Sequence, residues 1–178
     1  MEIEVQKRSG LIERFTSSCI DRALMNTLET VLQHAEQHCK SHGAKLTQKR
    51  KLILSSLLDS GKAMSAYEIV SYCKEYYNED MPAMSVYRIL DFLEDELLVH
   101  KLNIANKYVA CSHITCAHAH EVPQFLICNS CQKVQEIGID KAIVHTLEDN
   151  ISNAGYKLLS QQFELNCLCD ECSHKVED

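Results

Sequence analysis

The sequence predicts an α+β chain in two parts: an N-terminal winged helix-turn-helix domain and a small C-terminal α/β dimerisation domain. Three observations carry this expectation. Apolar residues recur at helical spacing through the first half, then give way to two short β-rich runs. Charge and thiols are shared unevenly: residues 1–110 carry 14 Lys+Arg against 15 Asp+Glu, whereas residues 111–178 carry 4 against 10 and hold seven of the ten cysteines. The second part also contains two Cys-x-x-Cys pairs, Cys128/Cys131 and Cys169/Cys172. The implied divisions are residues 1–20 as an N-terminal extension, 21–110 as the winged-helix domain, 111–122 as a metal-binding hinge, and 123–178 as a dimerisation and zinc-binding domain.

Composition agrees. With 46% apolar residues, no Trp, 5 Gly and 2 Pro, the chain reads as helix-rich with at least one proper core. No apolar run is long enough to span a bilayer, and the opening MEIEVQKRSG is too acidic and polar for a secretory signal. A cytoplasmic protein without a membrane partner is therefore expected. In that reducing compartment ten cysteines point to metal ligands or redox groups, not to disulfides. The net charge of −7 argues against non-specific nucleic-acid binding but leaves room for a local basic surface.

Each element follows in order. From Asp21, a plausible N-cap, Leu24, Leu28, Val31, Leu32 and Ala35 fall at helical spacing, and Gly43 ends that helix. Thr47 caps a second helix with Leu52, Ile53, Leu57 and Leu58 as its apolar stripe, broken by Gly61. Ser65 caps a third, with Tyr67, Ile69, Val70 and Cys73 as inner-face residues. Ser85 caps a fourth, with Val86, Ile89, Leu90 and Leu93 facing inward. LLVHKL and NKYVAC then form a hairpin, the order of a winged helix-turn-helix, although a helical bundle with an appended hairpin has the same pattern. Beyond the linker SHITCAHAHEV come strands PQFLIC and KVQEIGI. A helix follows, starting at Asp140 with Ile143, Val144, Leu147 and Ile151 on one face and ending at Gly155. The last strand is YKLLSQQFELNCL. One open edge of such a sheet suits pairing with a second copy.

A Cys-x-x-Cys turn presents two sulfurs at two corners of a tetrahedron, and a second pair supplies the other two. Cys128, Cys131, Cys169 and Cys172 are thus expected to hold a structural zinc, stapling a domain too small to rely on its core alone. Two redox-active pairs or an iron–sulfur cluster use the same residues, and Cys167 competes with Cys172 as the partner of Cys169. The surrounding donors His100, Cys111, His113, Cys116, His118, His120 and Glu136 are mixed nitrogen, sulfur and oxygen. If wing, linker and sheet converge, His100, Cys111, His120 and Glu136 make a second tetrahedron bridging the domains. Taken singly they have ordinary readings: a surface strand His, a solvated linker, a core thiol. His34, His38 and His42 repeat every four residues on the first helix, a spacing that more simply reads as a solvated face.

In order and spacing, LTQKRKLIL, SAYEIV, SVYRILDFLEDELLVHKL, KYVAC, QFLICNSCQKVQE and the final Cys-x-x-Cys resemble the ferric uptake regulator family, and within it the zinc uptake regulator branch. The resemblance covers residues 24–172. It implies a homodimeric, zinc-responsive repressor that binds a double-stranded DNA operator of zinc-uptake genes, with one structural and at least one regulatory Zn2+ per chain. Leu46, Thr47 and Arg50 match the family's Leu-Thr-x-x-Arg element, and Ser85-Val86-Tyr87-Arg88 its Thr-Val-Tyr-Arg recognition motif. Lys45, Tyr67, Ser85, Tyr87 and Arg88 are then the expected DNA-binding residues, Arg for guanine and Tyr for a thymine methyl or a phosphate. His100, Cys111, Glu136 and a linker His, either His118 or His120, are the implied regulatory ligands. The four Cys-x-x-Cys thiols are the implied structural ones. Three departures stand out: Asn166-Cys167 replaces His-Gly, Pro82 alone replaces a proline pair, and Cys116 adds a thiol to the linker.

Other readings are an iron or peroxide sensor of the same family, which would favour ligand shells without thiolate, and a zinc-ribbon protein–protein adaptor without DNA binding. No Ser/His/Asp or phosphate-loop pattern supports an enzyme.

Overall fold

A computed structural model describes residues 28–115, 122–159 and 162–173. The expected cap Asp21 and the linker residues Cys116, His118 and His120 lie outside the described residues. The N-terminal part comprises helices α1 (Leu28–Ser41), α2 (Gln48–Ser60), α3 (Ala66–Tyr77) and α4 (Ala83–Asp95), then the hairpin β1 (Val99–Leu102) and β2 (Lys107–Ala110). The C-terminal part comprises β3 (Pro123–Cys128), β4 (Val134–Gly138), α5 (Lys141–Asn153), β5 (Phe163–Cys167) and the single turn α6 (Asp170–Ser173). Among the described residues, no helix is long and apolar enough to cross a membrane.

The winged-helix core forms around α2, which touches α1, α3, α4 and β2. Being surrounded, α2 buries five consecutive residues, Ile53 to Leu57, instead of the expected narrow stripe; Leu54 lies inside while Leu52 and Leu58 are only half-buried. The buried Ser56 is satisfied: its hydroxyl donates to Leu52 O at 2.8 Å and meets Cys73 Sγ at 3.2 Å. Thr47 occupies the N-cap of α2 without a side-chain cap bond.

At the start of α3, Ser65 and Glu68 form a capping box: Ser65 Oγ accepts from Glu68 N, and Ser65 N donates to Glu68 Oε2. Ser65→Ala is expected to lower stability by about 1 kcal/mol, read as a fall in the urea midpoint with unchanged slope.

Two expectations need correction. Ala66, Ile69 and Cys73 set the inner face of α3, and that phase turns Tyr67 outward to 67% exposure. Ser85 is not the cap of α4. Pro82 is, its fixed φ of −60° entering the helix, and Ser85 N donates to Pro82 O at 2.8 Å from within the first turn. Val86, Leu90 and Leu93 are buried as expected. Past α4, Leu97 adopts φ 56°, and Leu97 N and Leu98 N bond back to Glu94 O and Leu93 O, closing the helix end.

In the wing β1 and β2 are antiparallel with His100 opposite Val109, and Met64 exchanges two backbone bonds with Tyr108, tying the wing to the turn before α3. The C-terminal sheet has the order β4-β3-β5, with β3 antiparallel to β4 and parallel to β5. The last strand is shorter than expected because β3 offers partners only from Gln124↔Phe163 to Cys128↔Cys167; upstream, Tyr156 and Leu159 are exposed. The expected apolar face of α5 exists in sequence, yet no residue of α5 is buried in the single chain.

The two parts meet around the Phe125 row of the sheet. Phe125 lies between Glu136 on β4 and Glu164 on β5, both opposite it in register. Phe125 is fully buried in a cluster with Ala63, Leu102 and Ile127 that joins wing and sheet. Glu164 accepts backbone N–H bonds from Asn103 and Ile104 at the wing turn, both 2.8 Å, and Gln162 Nε2 donates to Lys101 O at 2.7 Å.

Candidate functional site

The four thiols converge through two local turns. Cys128 ends β3; Gln132 (φ 60°) donates its N–H to Cys128 O at 2.9 Å, folding Cys131 back beside Cys128. Asn129 N donates to Cys167 O, which docks this turn on the end of β5. Cys169 opens α6, and Cys172 N returns to Cys169 O at 2.9 Å. The Sγ atoms of Cys128, Cys131, Cys169 and Cys172 lie within 4.8 Å of one another. Cys131 Sγ and Cys169 Sγ are 3.7 Å apart, far beyond a disulfide bond and close to the ~3.8 Å edge of a tetrahedron with Zn–S of ~2.3 Å. Cys167 is outside this group; its thiol points to Leu165 O at 3.4 Å. The backbone N–H groups of Cys131 and then Cys169 push the Cys128 thiol down to about 6, towards the thiolate that binds metal. Four thiolates with no open position fit a structural zinc.

The second cluster spans the two parts. Cys111 N donates to Leu98 O at 3.0 Å just beyond β2. Because Val109 pairs with His100, the two-residue period turns Cys111 to the face of the wing that His100 occupies. Glu136 approaches from β4. One ligand atom from each of His100, Cys111 and Glu136 lies within 4.8 Å of the others. His100 Nε2 is 3.7 Å from Glu136 Oε1, with side chains 12% and 8% exposed. The other carboxylate oxygen accepts from Ser112 N at 2.9 Å and from the Ser112 hydroxyl. Burial pushes the Glu136 carboxyl up, but the Ser112 hydroxyl, its N–H and the neighbouring His100 and His113 more than offset this and leave it below its usual value. A nitrogen, a sulfur and an oxygen donor, with the carboxylate oriented from behind by Ser112, fit a mixed zinc site.

Three of the four expected regulatory ligands are thus brought together, while His118 and His120 lie outside the described residues. His113, named among the donors but not chosen from sequence, meets Glu136 Oε1 through Nδ1 at 3.1 Å. Ser112 and Glu164 were not expected at all; nothing in local spacing marks either.

The expected DNA-binding residues lie on the winged-helix part. Lys45 is exposed between α1 and α2, Arg88 is exposed on α4, and Ser85 and Tyr87 are half-buried. The Tyr67 and Tyr87 rings meet edge-to-face at 6.4 Å, placing an aromatic pair across the starts of α3 and α4. Arg50 works inward: its guanidinium lies 3.3 Å over the Phe92 ring and donates to Lys45 O, fixing the backbone that presents Lys45.

The sequence profile of the ferric uptake regulator family matches residues 41–166. The chain is 32% identical over 149 residues to the zinc uptake regulation protein of Escherichia coli, covering 82% of this chain and 83% of the relative. It is 29% identical to the ferric uptake regulation protein of Helicobacter pylori, covering 83% and 95%. Among solved structures, a zinc uptake regulator complexed with zinc and DNA superposes with a TM-score of 0.74 at 25% identity over 86% of this chain and 99% of that one. The crystal structure of holo XcZur gives 0.68 at 32% identity over 83% and 99%. A winged-helix part, a thiol-stapled sheet and a mixed-donor cluster between them accompany these matches, and the chain belongs to the ferric uptake regulator family, in its zinc uptake regulator branch.

Proposed function

We propose that this chain is a zinc-responsive, dimeric repressor that binds operator DNA of zinc-uptake genes when its inter-domain cluster is metal-loaded. The observation that carries the reading is the convergence of His100 and Cys111 from the wing with Glu136 from the sheet. Bound zinc would add a tetrahedral link between two parts that already meet at the Phe125 cluster and the Glu164 contact. The chain's own residues do the rest. Ser112 holds the carboxylate in place, Phe125 excludes water beside the ligands, and Glu164 holds the wing turn against the sheet. Fixing the wing fixes α4, with Arg88 exposed for base or phosphate contact and Tyr67 and Tyr87 beside it. The buried thiol Cys111 favours zinc over the iron or peroxide reading, whose ligand shells prefer nitrogen and oxygen. A homodimer is supported by α5, none of whose residues is fully buried within the chain, and by the open sheet edges of β4 and β5. One structural zinc at the four thiols and one regulatory zinc at the inter-domain cluster follow per chain; His118 or His120 is the proposed fourth regulatory ligand.

The test is the affinity for one operator duplex at fixed salt, with zinc and with a chelator too weak to strip the four thiols. A large gain with zinc is expected, and equal affinities would refute the reading. Arg88→Ala is expected to weaken specific binding by ~1–3 kcal/mol and to leave zinc content unchanged. A protein–protein adaptor would lose nothing in that variant.

A further inference from the structure

The histidine stripe of α1 has a partner that its spacing does not disclose. The rings of His38 and His42 contact edge-on, with centroids 4.4 Å apart. Facing them is Glu96, the residue that caps the C-terminal end of α4. Glu96 Oε2 is 3.0 Å from His42 Nδ1 and 3.9 Å from His38 Nε2. One ligand atom from each of the three residues lies within 4.8 Å of the other two.

A hydrogen-bonded ion pair accounts for only part of this. It uses His42 and Glu96, yet the Glu96 side chain is only 13% exposed, and His38 Nε2 is buried without a hydrogen-bond partner among the described residues. A buried ring nitrogen left unbonded beside a half-buried carboxylate is costly unless an ion takes the lone pairs of both. The separations of 3.0 and 3.9 Å bracket the ~3.3 Å edge of a tetrahedron whose ligands lie at ~2.0–2.1 Å from zinc. The scaffold around the cluster is well anchored. Cys39, next to His38, is fully buried and fixes the rotation of α1, and the left-handed Leu97, with the return bonds of Leu97 N and Leu98 N, fixes the direction in which Glu96 leaves α4.

We propose that His38, His42 and Glu96 form a further divalent-metal site within the winged-helix part, taking zinc or a cation of similar preference for imidazole. Two nitrogens and one carboxylate oxygen suit such an ion, with water completing its shell. All three ligands belong to one domain, so this site does not govern how the two parts are oriented. It fastens α1 to the end of α4, the helix that carries Arg88. With no thiolate and with His42 54% exposed, it holds metal more weakly than the clusters containing Cys111 or the four thiols, and fills at higher free zinc. The site is independent of the operator-binding reading and stands or falls on metal binding alone.

The experiment is equilibrium dialysis of the full chain against increasing free zinc, with bound zinc counted per chain. The wild type and His38→Gln/His42→Gln are compared, with Glu96→Gln as a near-isosteric second variant. The wild type is expected to take up one more zinc at high free concentration than either variant, while all three retain the same tightly held zinc. Zinc should also raise the melting temperature of the wild type beyond that of either variant. Should the double variant lose helical circular dichroism, Glu96→Gln decides. Identical zinc counts in wild type and Glu96→Gln would overturn the proposal and leave the three residues as an ion pair only.

Discussion

Cys128→Ser or Cys131→Ser is expected to cost the chain one zinc and, with it, the folded C-terminal part and the proposed dimer. Burial explains the size of the effect. Among the described residues from 122 onward, only Phe125, Ile127, Cys128 and Cys172 are buried. Full burial of the two large apolar side chains contributes ~1.5–3 kcal/mol each, far short of the cost of ordering the sheet. Two of the four buried side chains are themselves thiols of the cluster. Structural zinc sites contribute about 10–16 kcal/mol in small peptides, as much as the whole stability of an ordinary domain. Zinc count by mass spectrometry, size-exclusion chromatography and circular dichroism would together read the loss. The winged-helix part, with its separate core around α2, should keep its helical signal. A Cys128→Ser chain with undiminished zinc and an intact dimer would mean that the four thiols are not the staple.

Cys111→Ser is expected to do something different: keep the fold and the thiol-bound zinc, and abolish the gain in operator affinity that zinc brings. Coupling between an effector site and a binding site is typically worth 1–3 kcal/mol, or ~5–150-fold in affinity. Removing the one sulfur donor from the inter-domain cluster should erase most of that factor while leaving the zinc-free affinity near its wild-type value. Anisotropy of a labelled operator duplex with and without zinc measures both. Glu136→Gln should behave alike, because it removes a charge from the same cluster while keeping the shape that Ser112 grips. A Cys111→Ser protein that still gains affinity with zinc would shift the weight towards a site of nitrogen and oxygen donors elsewhere.

What the sequence disclosed was what is local. The Cys-x-x-Cys spacings, the Ser65 cap and the periodicity of α4 are all set within a few residues, and each stands as expected; the Glu68 half of the capping box is added by the structure. The wing hairpin and the two strands around Cys128 were equally legible, because turn residues and β-rich runs sit next to one another. What was missed depends on contacts between residues far apart in the chain. Tyr67 reads from sequence both as an inner-face residue and as a DNA contact, because an aromatic at helical spacing suits a core as well as a surface; only the packing of Ala66, Ile69 and Cys73 decides, and it leaves Tyr67 exposed. Ser85 resembled a cap, but Pro82 had already set the backbone. His38 and His42 read as solvated because Glu96, their partner, is more than fifty residues away, and the Glu164 grip on the wing turn spans sixty. The length of β5 was limited by its neighbour β3, which no property of its own residues encodes.

The Glu164 contact links the two cysteine-containing clusters mechanically. Cys169 lies five residues beyond Glu164, and His100 lies three residues before Asn103, whose backbone Glu164 holds. Strand, carboxylate and hairpin therefore act in series. Immobilising the thiol end leaves less disorder for the wing end to surrender when it closes, so a first ion should make a second easier to accommodate even though the two never share a ligand.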